Sequence, residues 1–343
     1  MKRLKLLLMM AGIFSVLVLS ACGGGAGNAA TEQEESGNES DVIKIKVGHI
    51  SPDDQAYAIG FKEYADAVEE ATNGKVQFEI FGNGTLGGER ELLEGVQVGT
   101  LDMSLITTGV VTNFVPEVSV IEFPFLFRDL EHTYKTLDGE IGQELLDKMS
   151  ESNLKGIAFW ENGERYISNR KGPVKEVADL KGLKMRTIES ELLLDMYSAL
   201  GTNATPMAFP EVYNGLQQGV IDGSDFSVGV YYTTRVYEPS KYFSEVPLYY
   251  ASATLVLNQE LFDSMPEDVQ KVMVDLGKEY AVKQRQINQD LMDEYRQKLL
   301  ADGVEITPAE EIDMDGFRKA VESVYEKHAD RYGDYIERIQ NVE

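Results

Sequence analysis

The chain has 343 residues, with 58 acidic against 32 basic side chains, a formal net charge of −26 at pH 7 and a single cysteine. No basic face is available for a phosphate backbone, so nucleic acid is excluded as a partner, and one thiol cannot form a disulfide within the chain. So large an acidic surplus would suggest cationic partners, but screening over ~8 Å makes surface carboxylates speak mainly to solvent, and the surplus suits an exported protein in saline or alkaline surroundings.

The chain begins with Lys2, Arg3 and Lys5, then an apolar run from Leu6 to Leu19, then Ser20, Ala21 and Cys22. This is the layout of a signal peptide ending in a lipoprotein box, and the run is shorter than the ~20 residues a membrane span needs. Residues 1–21 are thus expected to be removed, leaving Cys22 as a lipidated first residue that anchors the chain to the outer face of a membrane. Residues 22–41, rich in Gly, Ala, Asn, Ser and acids, read as a flexible tether.

From residue 42 the pattern alternates between strand and helix. Val42 to Gly48 reads as a first strand, and Phe61, Tyr64, Ala65 and Val68 as the apolar stripe of a helix. Val76, Phe78 and Ile80 follow the Asn73-Gly74 stop as a second strand, and Leu92, Leu93 and Val96 form a helical stripe closed by Gly99. Leu101, Met103 and Leu105 give a third strand, and further strands are expected at Leu154 to Trp160, Leu183 to Thr187, Ala204 to Met207 and Thr254 to Leu257. Beyond Pro266 the chain reads as almost wholly helical. Strands separated by helices point to an α/β fold with sheets covered on both faces.

Arg186 stands out. It ends a strand in which Leu183, Met185 and Thr187 alternate with Lys184 and Arg186, and Leu192, Leu193, Met196 and Leu200 then mark a covering helix stopped by Gly201. In open α/β sheets the carboxyl end of a strand faces the ligand crevice, where a guanidinium offers a planar fork suited to carboxylate or phosphate. The alternative is a surface arginine or a structural ion pair.

Other chemistry is thin. Gly82, Gly84 and Gly87 spell GxGxxG between a strand and a helix, but Asp102 lies at the start of its strand rather than at the carboxyl end, where a ribose-binding acid belongs. His49, His132 and His328 have no metal-ligand spacing, and neither a GxSxG elbow nor a spare cysteine offers a nucleophile. No metal, cofactor or catalytic residue is therefore expected. An exported hydrolase built on carboxylates stays open as a second reading, because a carboxylate pair cannot be recognised from spacing alone.

Several segments together resemble the solute-binding proteins of TRAP transporters, the DctP family. They are GKVQFEIFGNGTLGGERELLEGVQVGTLDM, EFPFLFRD, WENGERYISNRKGPVKEVADL, KGLKMR, TPMAFPEVYNGLQQGVIDG and FDSMPEDVQ, in order from about Lys44 to about Lys271. The resemblance implies two lobes joined by a hinge with a ligand cleft between them, lobe I formed by 42–161 plus about 252–290 and lobe II by 162–251 plus about 291–343. It implies an organic acid as ligand and the membrane subunits of a TRAP permease as partner; a sensor for a membrane receptor would use the same site.

Residue by residue, the resemblance makes Arg186 the two-pronged partner of the ligand carboxylate, Arg165 a second arginine reaching the same region, and Phe209 an aromatic packed on the ligand. It places Glu89, Thr107 and Thr108 at the ligand's distal end, and it explains the glycine loop as a turn bringing Glu89 and Arg90 to the cleft. His49 and Trp160 lie at predicted strand ends facing the same space. The chain departs from the family pattern after the DG pair, where Asp225-Phe226-Ser227 stands in place of an acid-Asn-Pro sequence. With Phe226 in place of a polar anchor, the expectation leans to a monocarboxylate with some apolar surface, such as an aromatic or keto acid, unless Phe226 points into the core.

Overall fold

The computed structural model describes residues 42–343. The segments expected to be a signal peptide and a tether, with Cys22, lie outside the described residues. Nine strands form one mixed sheet: β1 (Ile43–Gly48), β2 (Val76–Phe81), β3 (Met103–Thr107), β4 (Leu154–Asn169), β5 (Lys184–Thr187), β6 (Asn203–Pro206), β7 (Gly223–Phe226), β8 (Tyr242–Asn258) and β9 (Glu305–Thr307). The order is β2-β1-β3-β8-β4-β7-β5-β6, with β9 against β8. Beyond Pro266, read as almost wholly helical, the short strand β9 is the non-helical exception among the described residues; it pairs with the first residues of β8, Tyr242 to Ser244.

The pairing directions create the crevice. β1, β2 and β3 are parallel to one another, as are β5, β6 and β7, while β8 is antiparallel to both β3 and β4, and β4 is antiparallel to β7. The two parallel sets therefore run towards each other, and their carboxyl ends meet near the middle of β4 and β8, the two long strands that cross from one half to the other. Carboxyl ends of parallel strands are where α/β sheets bind ligands, and here two such edges converge on one place.

The cores follow the strand alternation, since neighbouring residues of a strand point to opposite faces. Leu255 and Leu257 pack with Tyr64, Met103 and Trp160 at the β1–β3 end, whereas Val256 faces the other side with Phe159, Val246 and Leu248. A third cluster, with Phe226, Tyr231, Phe243 and Tyr295, fills the other half. Helix Glu267–Ala301 spans both ends: Val269 and Met273 belong to the first core, Tyr295 and Leu299 to the third. At its middle, Gln284 Nε2 donates to the Glu161 carbonyl at 2.9 Å, and Asn288 Nδ2 to Glu161 Oε1 at 2.6 Å, fixing β4 where it crosses.

Register shifts between β4 and β8 fall at Glu161/Gly163 and Arg165/Ile167. Gly163 supplies one of them with φ +110°, a backbone conformation costly for residues with a Cβ. The last helices do not belong to one half alone. Arg338 makes a two-pronged pair with Glu144 on the early part of the chain, while Lys327 and His328 hold Asp195 and Arg331 holds Glu191 on the helix that follows β5. Among the described residues no helix is long and apolar enough to cross a membrane.

Candidate functional site

A small cavity lies at the meeting point, lined by residues of both halves. One wall comes from the β1–β3 half: Ile50 and Ser51 after β1, Gln55 and Tyr57 at the start of helix Ala56–Ala71, Glu89 at the start of helix Glu89–Val98, and Thr107 at the end of β3. The floor is Asn162 and Arg165 from β4, and the other wall is Arg186 and Ile188 from the end of β5, with Phe209 and Val230. The halves touch around it. Asn113 Nδ2 donates to the Glu189 carbonyl at 2.5 Å, Tyr295 Oη to the Asp54 carbonyl at 3.0 Å, and a Cβ added at Gly88 would lie 3.7 Å from Ala208.

The two arginines differ in what remains free on them. Each nitrogen of Arg165 has a partner: Nε donates to Asp225 Oδ2 at 2.7 Å, Nη2 to the Asp225 carbonyl at 2.6 Å and Nη1 to Asn162 Oδ1 at 3.1 Å. Asp225 also accepts from Tyr197 at 2.8 Å and from Tyr249 at 2.9 Å. Burial pushes its carboxyl upward, but Arg165 overrides that and holds it below the usual range.

Arg186 is only 3% exposed, yet it uses Nε alone, donating to the Met207 carbonyl at 2.9 Å, and Nη1 has no partner. The Phe209 ring stands beside it, its centroid 5.9 Å from Cζ, at the outer limit of a cation–π contact. Burial, resisted by Asp225, pulls Arg186 below the usual guanidinium range. A buried cation that lines a cavity and keeps a donor unpaired is under-solvated and calls for an anion, and a planar fork is matched by a carboxylate.

Glu89 lies in the opposite wall, 8% exposed; its Oε1 accepts from the Thr107 amide at 2.6 Å. Burial pushes its carboxyl upward against the Thr107 bonds, Arg186 and Arg165. Asn162 bridges the halves, its Oδ1 accepting from Ser227 Oγ at 3.2 Å while Nδ2 donates to Thr107 Oγ1 at 3.4 Å.

Of the residues expected at the site, the structure thus brings together Arg186, Arg165, Phe209, Glu89 and Thr107. The others lie elsewhere. Phe226 is fully buried and stacks on Tyr231 with centroids 5.8 Å apart. It stands beside Asp225 in β7, so alternation sends the carboxylate to Arg165 and the ring to the opposite face, and the expected preference for an apolar acid loses its basis. Trp160 is core, its Nε1 donating to the Gly277 carbonyl at 3.1 Å, and Thr108 is tied to Ser252 Oγ at 2.8 Å and Thr254 Oγ1 at 2.9 Å.

His49 does not line the cavity; it packs under the glycine loop, where a Cβ on Gly82 would come 2.9 Å from its ring, and burial lowers its pKa. Arg90 stands on the surface paired with Glu94. Asp102 is structural, accepting from the Lys46 amide at 2.7 Å. Sequence reasoning missed Gln55, Tyr57 and Asn162. Asn162-Gly163 is itself a turn signal inside a strand, and such interruptions are where a backbone re-aims side chains.

A family model described as bacterial extracellular solute-binding protein, family 7, or DctP, matches residues 47–331. The chain belongs to the DctP family. Among curated relatives, it is 31% identical to the 2,3-diketo-L-gulonate-binding periplasmic protein of Escherichia coli, over 87% of this chain and 92% of that protein. It is 33% identical to the C4-dicarboxylate-binding periplasmic protein of Rhodobacter capsulatus, over 66% and 68%. Among solved structures, a TRAP periplasmic solute-binding protein from Polaromonas, bound to D-erythronate, is similar with a TM-score of 0.85 and 37% identity over 88% of this chain and 99% of that one. Another, from Pseudomonas putida with bound D-glucuronate, gives 0.84 and 32% over 88% and 98%. The DctP fold of this chain is accordingly the two-lobed α/β one, and the relatives named are binding proteins. Among the described residues no group of His, Cys, Asp and Glu is placed to hold a metal.

Proposed function

We propose that the chain captures an organic acid in the extracytoplasmic space, holds its carboxylate on Arg186 and delivers it to a TRAP-type membrane permease. The observation that carries this is a buried arginine that lines a cavity between two halves and whose Nη1 has no partner. Phe209 stands beside the fork, while Arg165, paired with Asp225, shapes the floor.

Lobe I comprises 42–161 and about 252–290, lobe II 162–251 and about 291–343, with the hinge at the irregular stretch around Glu161 to Ile167. Closure excludes water, and the carboxylate–guanidinium contact strengthens as the local dielectric falls. Cys22, lipidated after removal of residues 1–21, would keep the protein at the outer membrane face, tethered by 22–41.

The test is a thermal-shift screen of residues 42–343 against sugar acids, keto acids, aromatic acids and dicarboxylates, with Arg186→Ala alongside. A ligand at ~100 times its dissociation constant should add ~2.7 kcal/mol of stability. A shift with one class that vanishes in Arg186→Ala supports the reading; retained micromolar binding in Arg186→Ala would sink it.

A further inference from the structure

We propose that Glu89 is the counter-charge of Arg186 in the unliganded cleft and takes up a proton when the ligand carboxylate displaces it, so that acid and proton are bound together. The inference rests on the reading that Arg186 holds the ligand carboxylate. Arg165 and Asp225 are already matched to each other, Nε to Oδ2 at 2.7 Å, and Asp225 accepts from Tyr197 and Tyr249 besides. That leaves one cation and one anion lining the cavity without such a partner: Arg186 on one wall and Glu89 on the other. Both are buried, and each offsets part of the cost of the other's charge.

A carboxylate arriving on Arg186 is therefore one anion in excess, in a cleft that closure strips of water. The least costly compensation is a proton from solvent on the anion it displaces. Burial pushes the Glu89 carboxyl upward, with the Thr107 bonds, Arg186 and Arg165 resisting, and a ligand that occupies Arg186 removes part of that resistance. The groups around Glu89 are Tyr57 from helix Ala56–Ala71, Thr107 from β3, Glu161 and Arg165 from β4, Arg186 from β5, Asp225 from β7 and Glu122 from the turn Pro116–Glu122. The other carboxyls are not free to respond. Arg165 holds Asp225 ionised, Glu122 has no partner for either oxygen and is kept uncharged by burial, and Glu161 is tied to Tyr134, Tyr250 and Asn288. Protonated Glu89 can keep its bond from the Thr107 amide, and the buried Tyr57 hydroxyl on the same wall, which has no partner, is an acceptor for the added proton.

The experiment is titration calorimetry on the folded protein with D-erythronate and D-glucuronate as probes, from about pH 6 to about pH 8, in two buffers of different ionisation heat. Both acids stay ionised over this range, so any proton taken up goes to the protein. Glu89 holds its proton more tightly in the complex, so binding is strongest at low pH and weakens as pH rises through the window between its free and bound values. In the parent, uptake should approach one proton per ligand within the range, and affinity should fall by up to about tenfold per pH unit. Glu89→Gln, which imitates the neutral acid, should take up no proton, lose the pH dependence and bind more tightly than the parent at the alkaline end. A second measurement needs no ligand. In a carbon NMR titration of the glutamate carboxyls, with the Glu89 signal identified by its loss in Glu89→Gln, the Glu89 midpoint should be higher in Arg186→Met than in the parent.

Binding that needs Arg186 yet takes up no proton anywhere in the range overturns the inference and leaves the carboxylate-binding reading standing, as does uptake that persists in Glu89→Gln. An affinity that follows sodium concentration at constant ionic strength, and not pH, overturns it too, because a metal cation would then supply the missing charge. Binding retained in Arg186→Ala overturns both. If neither acid binds, the carboxyl titration decides, and a Glu89 midpoint unmoved by Arg186→Met overturns the inference. If Glu89→Gln does not fold, proton uptake in the parent decides alone.

Discussion

Arg165 and Arg186 are equally buried in one cleft, yet they should fail in different ways when replaced. Arg186→Ala removes a fork whose Nη1 serves nothing inside the protein, so it should cost ~100-fold or more in ligand affinity while the melting temperature of the unliganded protein stays within a few degrees. Arg186→Lys should bind nearly as poorly, because a point charge cannot reproduce two parallel donors. Arg165→Met instead strands Asp225, which is fully buried, and should destabilise the fold by about 3–5 kcal/mol in urea denaturation.

Glu122 offers a third contrast. Both its oxygens are buried without a partner, and burial, opposed by Arg165 and reinforced by Asp225 and Glu89, pushes its carboxyl up to about 8. Below 4.5 both the folded and unfolded chains hold this proton; between 4.5 and about 8 only the folded chain does, so this group makes stability fall as pH rises through that window and level off above it. Glu122→Gln should therefore gain stability relative to the parent as pH is raised from about 5 to about 8, by a few kcal/mol in paired denaturation curves. A difference independent of pH would show that the carboxyl ionises freely in the native state.

The strands that were legible are those with one clear period. β1, β2, β3 and β5 alternate visibly, and their helices carry stripes that end at Asn73-Gly74, Gly99 and Gly201. β4 and β8 were read only as Leu154 to Trp160 and Thr254 to Leu257 because, beyond those points, both faces are buried and bulges shift the period, so no polar side betrays the strand. β7 was invisible for another reason: Gly223, Ser224 and Asp225 have poor strand propensity, and only pairing with β4 and β5 makes them extended. Missing that strand left Phe226 free to be imagined in the cleft. Arg186 was legible because its strand and helix frame it; Tyr57 was not, because one aromatic at a helix start has no signature separating cavity wall from core.

Gly223 shows how tightly β7 is set. A Cβ there would sit 2.2 Å from the Ser168 carbonyl oxygen on β4, a backbone atom that cannot swing aside. Gly223→Ala should therefore push β7 away from β4, destabilising the fold by about 1–3 kcal/mol. Because Asp225 is two residues further along and holds Arg165, the same change should also weaken ligand binding, which a purely local packing defect would leave alone. Calorimetric titration beside a thermal melt separates the two.

For the molecule as a whole, the excess of acidic side chains sets two electrostatic terms against each other. The 343-residue chain carries a formal net charge of −26, and the self-repulsion of the acidic excess on its folded part favours unfolding. Against it stand surface ion pairs such as Lys62–Asp66, Lys271–Asp275 and Lys283–Glu279, exposed and one helical turn apart, each screened by solvent and individually weak. Salt weakens both terms, but the repulsion is long-ranged and sums over many pairs, while each ion pair is short-ranged and mostly exposed. The unliganded protein should therefore melt at higher temperature when NaCl is raised from ~10 mM to ~500 mM, as the Debye length falls from ~30 Å to a few ångströms. KCl should act equally, because screening depends on ionic strength rather than on a site. Ligand affinity should change much less than stability, since the Arg186 contact forms in a closed cleft that mobile ions do not enter. A fall in melting temperature with salt would mean that the ion pairs, including the buried-edge pairs of Arg338 with Glu144 and Arg285 with Asp138, outweigh the repulsion.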